Sequence, residues 1–181
     1  FNGPSTTRPD GHLIVWSLRH LPDELRAVGT LLALDAIWRQ VDAPNRTARR
    51  LVVVDEAWLL MRDGEGAKFL FRMSKAARKR HAGLAVITQD VADVLGSDLG
   101  QAVVANAATQ ILLKQAPQAI DAIGDAFGLT AGERRLLLAA RVGTGLLISG
   151  TNRTSFEAVA SDAEHQLCTT RPSELADLDD Q

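Results

Sequence analysis

The sequence predicts an α/β protein, a three-layer sandwich around a mainly parallel sheet, on two observations. Short, nearly continuous runs of Val, Ile and Leu recur along the chain, the habit of strands buried on both faces. Between them lie longer stretches with apolar residues at helical spacing, and this alternation of buried strand and amphipathic helix is the pattern of a layered α/β fold. With 181 residues, 46% hydrophobic and 23% charged, the chain is long enough to bury a real core.

The first run, residues 12–18 (HLIVWSL), is expected as a strand. Pro22 suits a first helical turn, and the stretch to Val41 carries Leu25, Val28, Leu32 and Ala36 on one side. Leu31, Leu34 and Trp38 widen that stripe almost all round, which predicts a deeply buried helix. Residues 51–55 (LVVVD) form the next expected strand. A helix over 66–80 follows, apolar on Phe69, Met73, Ala76 and Ala77 and basic on Lys68, Arg72, Lys75 and Lys79. Residues 84–89 (LAVITQ) and 109–114 (TQILLK) are further strands, separated by a helix over 98–106. A helix over 117–127 faces inward with Ile120, Ile123 and Phe127. Thr130-Ala-Gly-Glu133 has the spacing of a capping box, so a helix through Ala140 is expected after it. Residues 145–149 and 153–160, joined by Gly-Thr-Asn, read as a C-terminal β-hairpin. The expected division is one domain over 1–170 and an acidic tail over 171–181 carrying Glu174, Asp177, Asp179 and Asp180, a short helix fraying into solvent.

The formal net charge of −2 makes any basic surface a local feature rather than a global one. A single cysteine, Cys168, excludes an internal disulfide and a multi-cysteine metal site. No apolar run approaches the roughly 18 residues of a membrane-spanning helix, and no signal peptide is visible. The chain begins at Phe1 rather than Met, on a Pro/Thr-rich turn, which points to a piece of a longer polypeptide.

The strongest chemical signal is Asp55-Glu56 at the end of LVVV. It places two carboxylates at the carboxyl end of a parallel strand, where open α/β sheets bind ligands. One can hold magnesium through its water shell while its neighbour orients and activates a water against a γ-phosphate. The same pair also fits a polar strand end, with Glu56 capping the next helix. Thr88-Gln89 closes the 84–89 strand; if that strand lies beside the first, Gln89 can contact both phosphate and water, and otherwise it is a polar terminus before a helix. From Lys68 to Arg80 there are six basic residues and no acidic one. Their stripe reads as solvated surface or as a contact for DNA phosphates. Arg78, on another flank, fits either an arginine finger offered to a neighbouring subunit or a partner for a carboxylate.

A phosphate loop, G-x-x-x-x-G-K-[ST], is missing. Gly64-Glu-Gly66-Ala-Lys68 has the wrong spacing and no Ser or Thr after the lysine. Gly143-Thr-Gly145 opens a hairpin rather than a helix. His12, His20, His81 and His165 have no metal-ligand spacing.

In order along the chain, Phe1-Asn-Gly-Pro-Ser-Thr, the 12–18 run, Val54-Asp-Glu-Ala-Trp58, Arg78-Lys79 ahead of Ile87-Thr-Gln89, Asn106 before 111–114, and Ala160-Ser-Asp-Ala-Glu-His165 followed by Thr169-Thr-Arg-Pro172 resemble the large cytoplasmic ATPases of conjugal transfer and type IV secretion. These belong to the FtsK/HerA-type motor superfamily with a RecA-like core. The resemblance implies an ATP- and magnesium-dependent motor, a homo-hexamer on the cytoplasmic side of the bacterial inner membrane. It implies other secretion subunits as partners and DNA or protein as the moved substrate. It assigns Asp55 and Glu56 to the acidic motif, Gln89 to the sensor, Arg78 to the finger and Arg153 to a nucleotide contact. The family's phosphate loop lies upstream of these motifs, so the sheet here is expected to be incomplete at its N-terminal side and the piece alone inactive. A DNA-translocating coupling motor and a non-catalytic assembly module remain as alternatives.

Overall fold

A computed structural model gives the fold and describes residues 11–18, 20–43, 49–62, 64–89 and 91–171. The architecture is mixed α/β, divided into two compact units, Phe1–Asn106 and Ala107–Gln181. The expected tail after Arg171 lies outside the described residues.

The first unit runs α1 (Asp23–Val41), β1 (Arg50–Val54), α2 (Ala57–Arg62), α3 (Gly64–Ala76), a 3-10 turn (Ala77–Arg80), β2 (Ala82–Val86), α4 (Val91–Leu95) and α5 (Asp98–Asn106). β1 and β2 pair in parallel, with Arg50 opposite Ala82 and Val54 opposite Val86. The β-branched run of β1 alternates: Val52 and Val54 turn to the core, while Leu51 and Val53 stay 69% and 55% exposed. α3 fills the centre of the unit, burying Leu70 and Met73 completely against α1, α2 and α5. Gly66 explains one sequence decoy. A Cβ there would stand 2.5 Å from the Leu60 carbonyl oxygen, so the glycine permits the close approach of α2 and α3.

Two expectations for this unit are corrected. The run 12–18 forms no strand, and Leu13 and Val15 lie exposed. A strand exists through its ladder of hydrogen bonds, and no described segment pairs with this run. α1 is not deeply buried either: Leu25, Val28, Leu31 and Leu32 are exposed, while Ala33, Leu34 and Val41 are covered. Its main neighbour is α3, which covers one side of an all-round apolar helix.

The second unit runs β3 (Thr109–Leu112), α6 (Ile120–Ala126), α7 (Ala131–Ala139), β4 (Thr144–Ser149), β5 (Asn152–Glu157) and α8 (Asp162–Cys168). Its three strands form an antiparallel sheet in the order β3-β4-β5. β4 and β5 are the expected antiparallel pair, turning at Gly150 with φ +59°. β3, expected to extend the parallel sheet, instead pairs antiparallel with β4, Leu112 opposite Leu146. The burial pattern matches that one-sided sheet. Leu112 is buried and Ile111 60% exposed, a one-faced strand rather than one covered on both sides. Gly145 also lets the two backbones close up, since a Cβ there would collide with the Leu112 carbonyl.

The Thr130–Glu133 capping box forms as the spacing predicts, with the Thr130 hydroxyl accepting from the Glu133 N–H and the Glu133 carboxylate accepting from the Thr130 N–H at 2.7 Å. That backbone N–H, helped by the Thr130 hydroxyl and the Arg153 guanidinium, holds the Glu133 carboxyl below the usual carboxylate range. Arg134 braces α7 to α6 through Asp125 at 2.7 Å and Asp121 at 3.1 Å. A second capping box, Ser161 with Glu164, starts α8, which buries none of its residues and carries the exposed free Cys168. The S-x-x-E spacing at Ser161 is the signal that would have found this helix. Among the described residues, no helix is long and apolar enough to cross a membrane.

Candidate active site

The site grows out of the β1–β2 pair. The ladder continues one step past the strands: the Ile87 N–H donates to the Val54 carbonyl at 2.9 Å, and the Ala57 N–H donates to the Ile87 carbonyl at 2.9 Å. Between these two bonds the chain must project Asp55 and Glu56 outward and turn at once into α2, whose first residue, Ala57, is fully buried. Glu56 makes that turn in the left-handed region, φ +49°, a conformation a glutamate rarely adopts. Its own N–H closes onto Asp55 Oδ1 at 2.9 Å.

The Glu56 carboxylate is held at both oxygens. Gln89, at the end of the neighbouring strand, donates its Nε2–H to Oε1 at 2.5 Å. Trp58, on the first turn of α2, donates its indole Nε1–H to Oε2 at 2.6 Å. The alternative in which Glu56 caps the following helix is therefore not what its side chain does. Asp55 remains exposed, with one oxygen engaged by the Glu56 N–H. Asp55, Glu56 and Gln89 thus come together at the carboxyl ends of two adjacent parallel strands, the place where open α/β sheets receive ligands. Trp58 enters the sequence reading only inside the Val54–Trp58 resemblance and without a role, because an aromatic four residues beyond a strand end carries no spacing signal of its own.

Among the described residues no group of three His, Cys, Asp or Glu side chains is placed to share a metal. One exposed carboxylate suits magnesium, a hard cation that keeps most of its water and takes one or two carboxylates beside substrate phosphates.

Arg78 is not brought to this group. It lies exposed on the 3-10 turn before β2, at the opposite end from Gln89 of a strand that alone spans about 13 Å at the usual rise. The rest of the basic stripe is largely engaged. Lys68 pairs with Glu65 at 2.6 Å and Arg80 with Asp42 at 2.6 Å. Arg72 and Arg80 lie 4.4 and 5.0 Å from the Trp38 ring centroid, and Lys75 lies 4.2 Å from that of Phe71. Arg153 belongs to the second unit. Its guanidinium donates to the carbonyls of Phe127 at 3.0 Å and Gly128 at 3.1 Å, and to Glu133 Oε2 at 3.2 Å. It ties β5 to the turn between α6 and α7. Lys68 in the glycine decoy likewise serves its own helix rather than a phosphate.

Comparison with known proteins bears on this geometry. The family model described as the TraG P-loop domain matches residues 10–144, a span that includes Asp55, Glu56, Arg78 and Gln89 and stops short of Arg153. The solved structure of VirB4 of Thermoanaerobacter pseudethanolicus is similar with a TM-score of 0.71 and 32% sequence identity. The similarity covers 81% of this chain and 40% of that one, so the chain spans well under half the length of that relative. No curated protein matches the chain.

Proposed function

Because the chain belongs to the TraG P-loop domain family, we propose that it is part of an ATP-hydrolysing motor that energises conjugative DNA transfer or type IV secretion. The observation that carries this reading is the Asp55–Glu56 pair at the end of β1, bonded across the parallel ladder to Gln89. In this reading Asp55 holds magnesium through its water shell. Magnesium, when bound, offsets negative charge on the phosphoryl oxygens. Glu56 accepts the proton of the attacking water, and the Gln89 amide exchanges its bond to Glu56 for one to the γ-phosphate, reporting whether that group is present. The β1–β2 pair is the centre of a RecA-like core in the parent domain. The phosphate loop comes from a segment upstream of residue 1, supplying the amides and lysine that provide most of the electrostatic stabilisation. Arg78, exposed and at the far strand end, serves a neighbouring subunit's nucleotide in a homo-hexamer. The assembly works with other secretion subunits at the cytoplasmic face of the inner membrane.

The test compares magnesium-dependent ATP hydrolysis by residues 1–181 with that of the full-length protein. This reading expects turnover by the full-length protein and essentially none by the shorter piece. Turnover by neither would favour a non-catalytic assembly module, and robust turnover by the short piece would mean that no upstream phosphate loop is needed.

A further inference from the structure

We propose that Trp58 is a positioning residue for Glu56, fixing the plane of its carboxylate while Gln89 moves. The inference rests on the proposed role of Glu56 as the group that accepts the water proton. A glutamate carboxylate rotates easily about its last torsion, so a useful general base must be held. Here it is held by two donors from two elements, Gln89 Nε2 on Oε1 at 2.5 Å and Trp58 Nε1 on Oε2 at 2.6 Å.

The two donors are unlike. Gln89 is exposed just beyond the end of β2, and in the proposed reading its amide leaves Glu56 for the γ-phosphate. Trp58 is half-buried in the first turn of α2, its N–H can only donate, and one turn later the Arg62 guanidinium carbon stands 5.7 Å from its ring centroid. A cation near the indole face draws electron density from the ring and strengthens the N–H as a donor. When Gln89 turns away, Trp58 remains on Oε2. Each carboxylate oxygen has about two acceptor sites, so the indole still leaves room for a water proton. The left-handed backbone of Glu56 sends its side chain back toward α2, within reach of Trp58 two residues on.

The experiment uses the full-length protein as wild type, Trp58→Phe, Glu56→Gln and the double variant. Phenylalanine keeps an aromatic ring beside Arg62 while removing the N–H together with the second ring of the indole. The expected result is a kcat for ATP hydrolysis about tenfold lower in Trp58→Phe with KM unchanged. The same substitution should have no further effect in the Glu56→Gln background. A second readout is independent of turnover. The ultraviolet resonance Raman band that reports indole N–H hydrogen bonding, taken as the difference between proteins with and without Trp58, should shift to a weakly bonded position in Glu56→Ala. Wild-type kcat in Trp58→Phe, a loss expressed in KM alone, or an unmoved Raman band would each overturn the proposal. If Glu56→Gln is inactive and Trp58→Phe is normal, only the Trp58 proposal fails. If Glu56→Gln turns over normally, the reading of Glu56 itself fails.

Discussion

Replacing Arg153 by alanine removes three hydrogen bonds at once, and the structure sets their worth. Two end on the neutral carbonyls of Phe127 and Gly128 and contribute about 1 kcal/mol each. The third joins side chains that are 32% and 16% exposed, so solvent screening keeps it to about 1 kcal/mol at most. Gly128 is exposed and Phe127 half-buried, so water reaches the freed carbonyls when the guanidinium is gone and keeps the penalty for orphaned acceptors small. The net expectation is a loss of about 2 kcal/mol, which in a chain of this size lowers the melting temperature by roughly 6 °C. Arg153→Lys keeps the charge beside Glu133 but not the planar fork onto two carbonyls, and should fall between the two. Circular dichroism melts of the three proteins, with magnesium-ATP titrations of the same variants in the full-length protein, make the assay. An unchanged melting temperature together with lost nucleotide affinity would refute the strut argument and return Arg153 to the nucleotide site.

Other consequences follow from the same geometry. Gly66→Ala should lower the denaturant midpoint without changing the m-value, at a cost of about 1–3 kcal/mol, because the new Cβ meets the Leu60 backbone in the packed core; an unchanged midpoint would show that α2 and α3 separate freely. Glu133 and Glu164 both have folded-state pKa values held below those of the unfolded chain, chiefly by the backbone N–H of their capping boxes. Their stabilisation is therefore present above the unfolded carboxylate pKa and is lost as the pH falls through the lowered values. Thr130→Ala should cost about 1 kcal/mol at neutral pH and less in acid, measured as the melting-temperature difference from wild type at each pH. Arg78→Ala should leave the melting temperature unchanged yet reduce full-length ATPase activity about a thousandfold, and mixing it with Glu56→Gln subunits should restore part of the activity. No complementation would remove the trans role.

The parts of the fold legible in the sequence are those whose determinants are local. LVVV forms its strand up to Asp55, Thr130-x-x-Glu133 starts its helix, and Gly150-Thr151 turns β4 into β5, with Asn152 already paired to Ser149, because β-propensity, side-chain capping and turn chemistry act within a few residues. The misread parts depend on partners. HLIVWSL is as apolar as LVVVD but has nothing among the described residues to complete its ladder. TQILLK takes its direction from β4, more than thirty residues later, and no property of the run itself announces that pairing. The apolar stripe of α1 reports what the helix could bury rather than what covers it. At the site the same division holds. Asp55 and Glu56 are readable from their strand, and their meeting with Gln89 was conditional on a strand order that the parallel ladder supplies. The indole bond from Trp58 depends on the left-handed turn at Glu56, which the sequence does not mark.

The central claim is that Glu56 activates the water that attacks ATP. Glu56→Gln in the full-length protein tests it most directly, because the amide keeps the shape and one of the two accepted hydrogen bonds, from Gln89 or from Trp58, but cannot accept the proton. A single-turnover experiment with radiolabelled ATP should show nucleotide bound at wild-type affinity and recovered largely unhydrolysed, with the rate of cleavage at least about a hundredfold lower. Cleavage at the wild-type rate by Glu56→Gln would contradict the account.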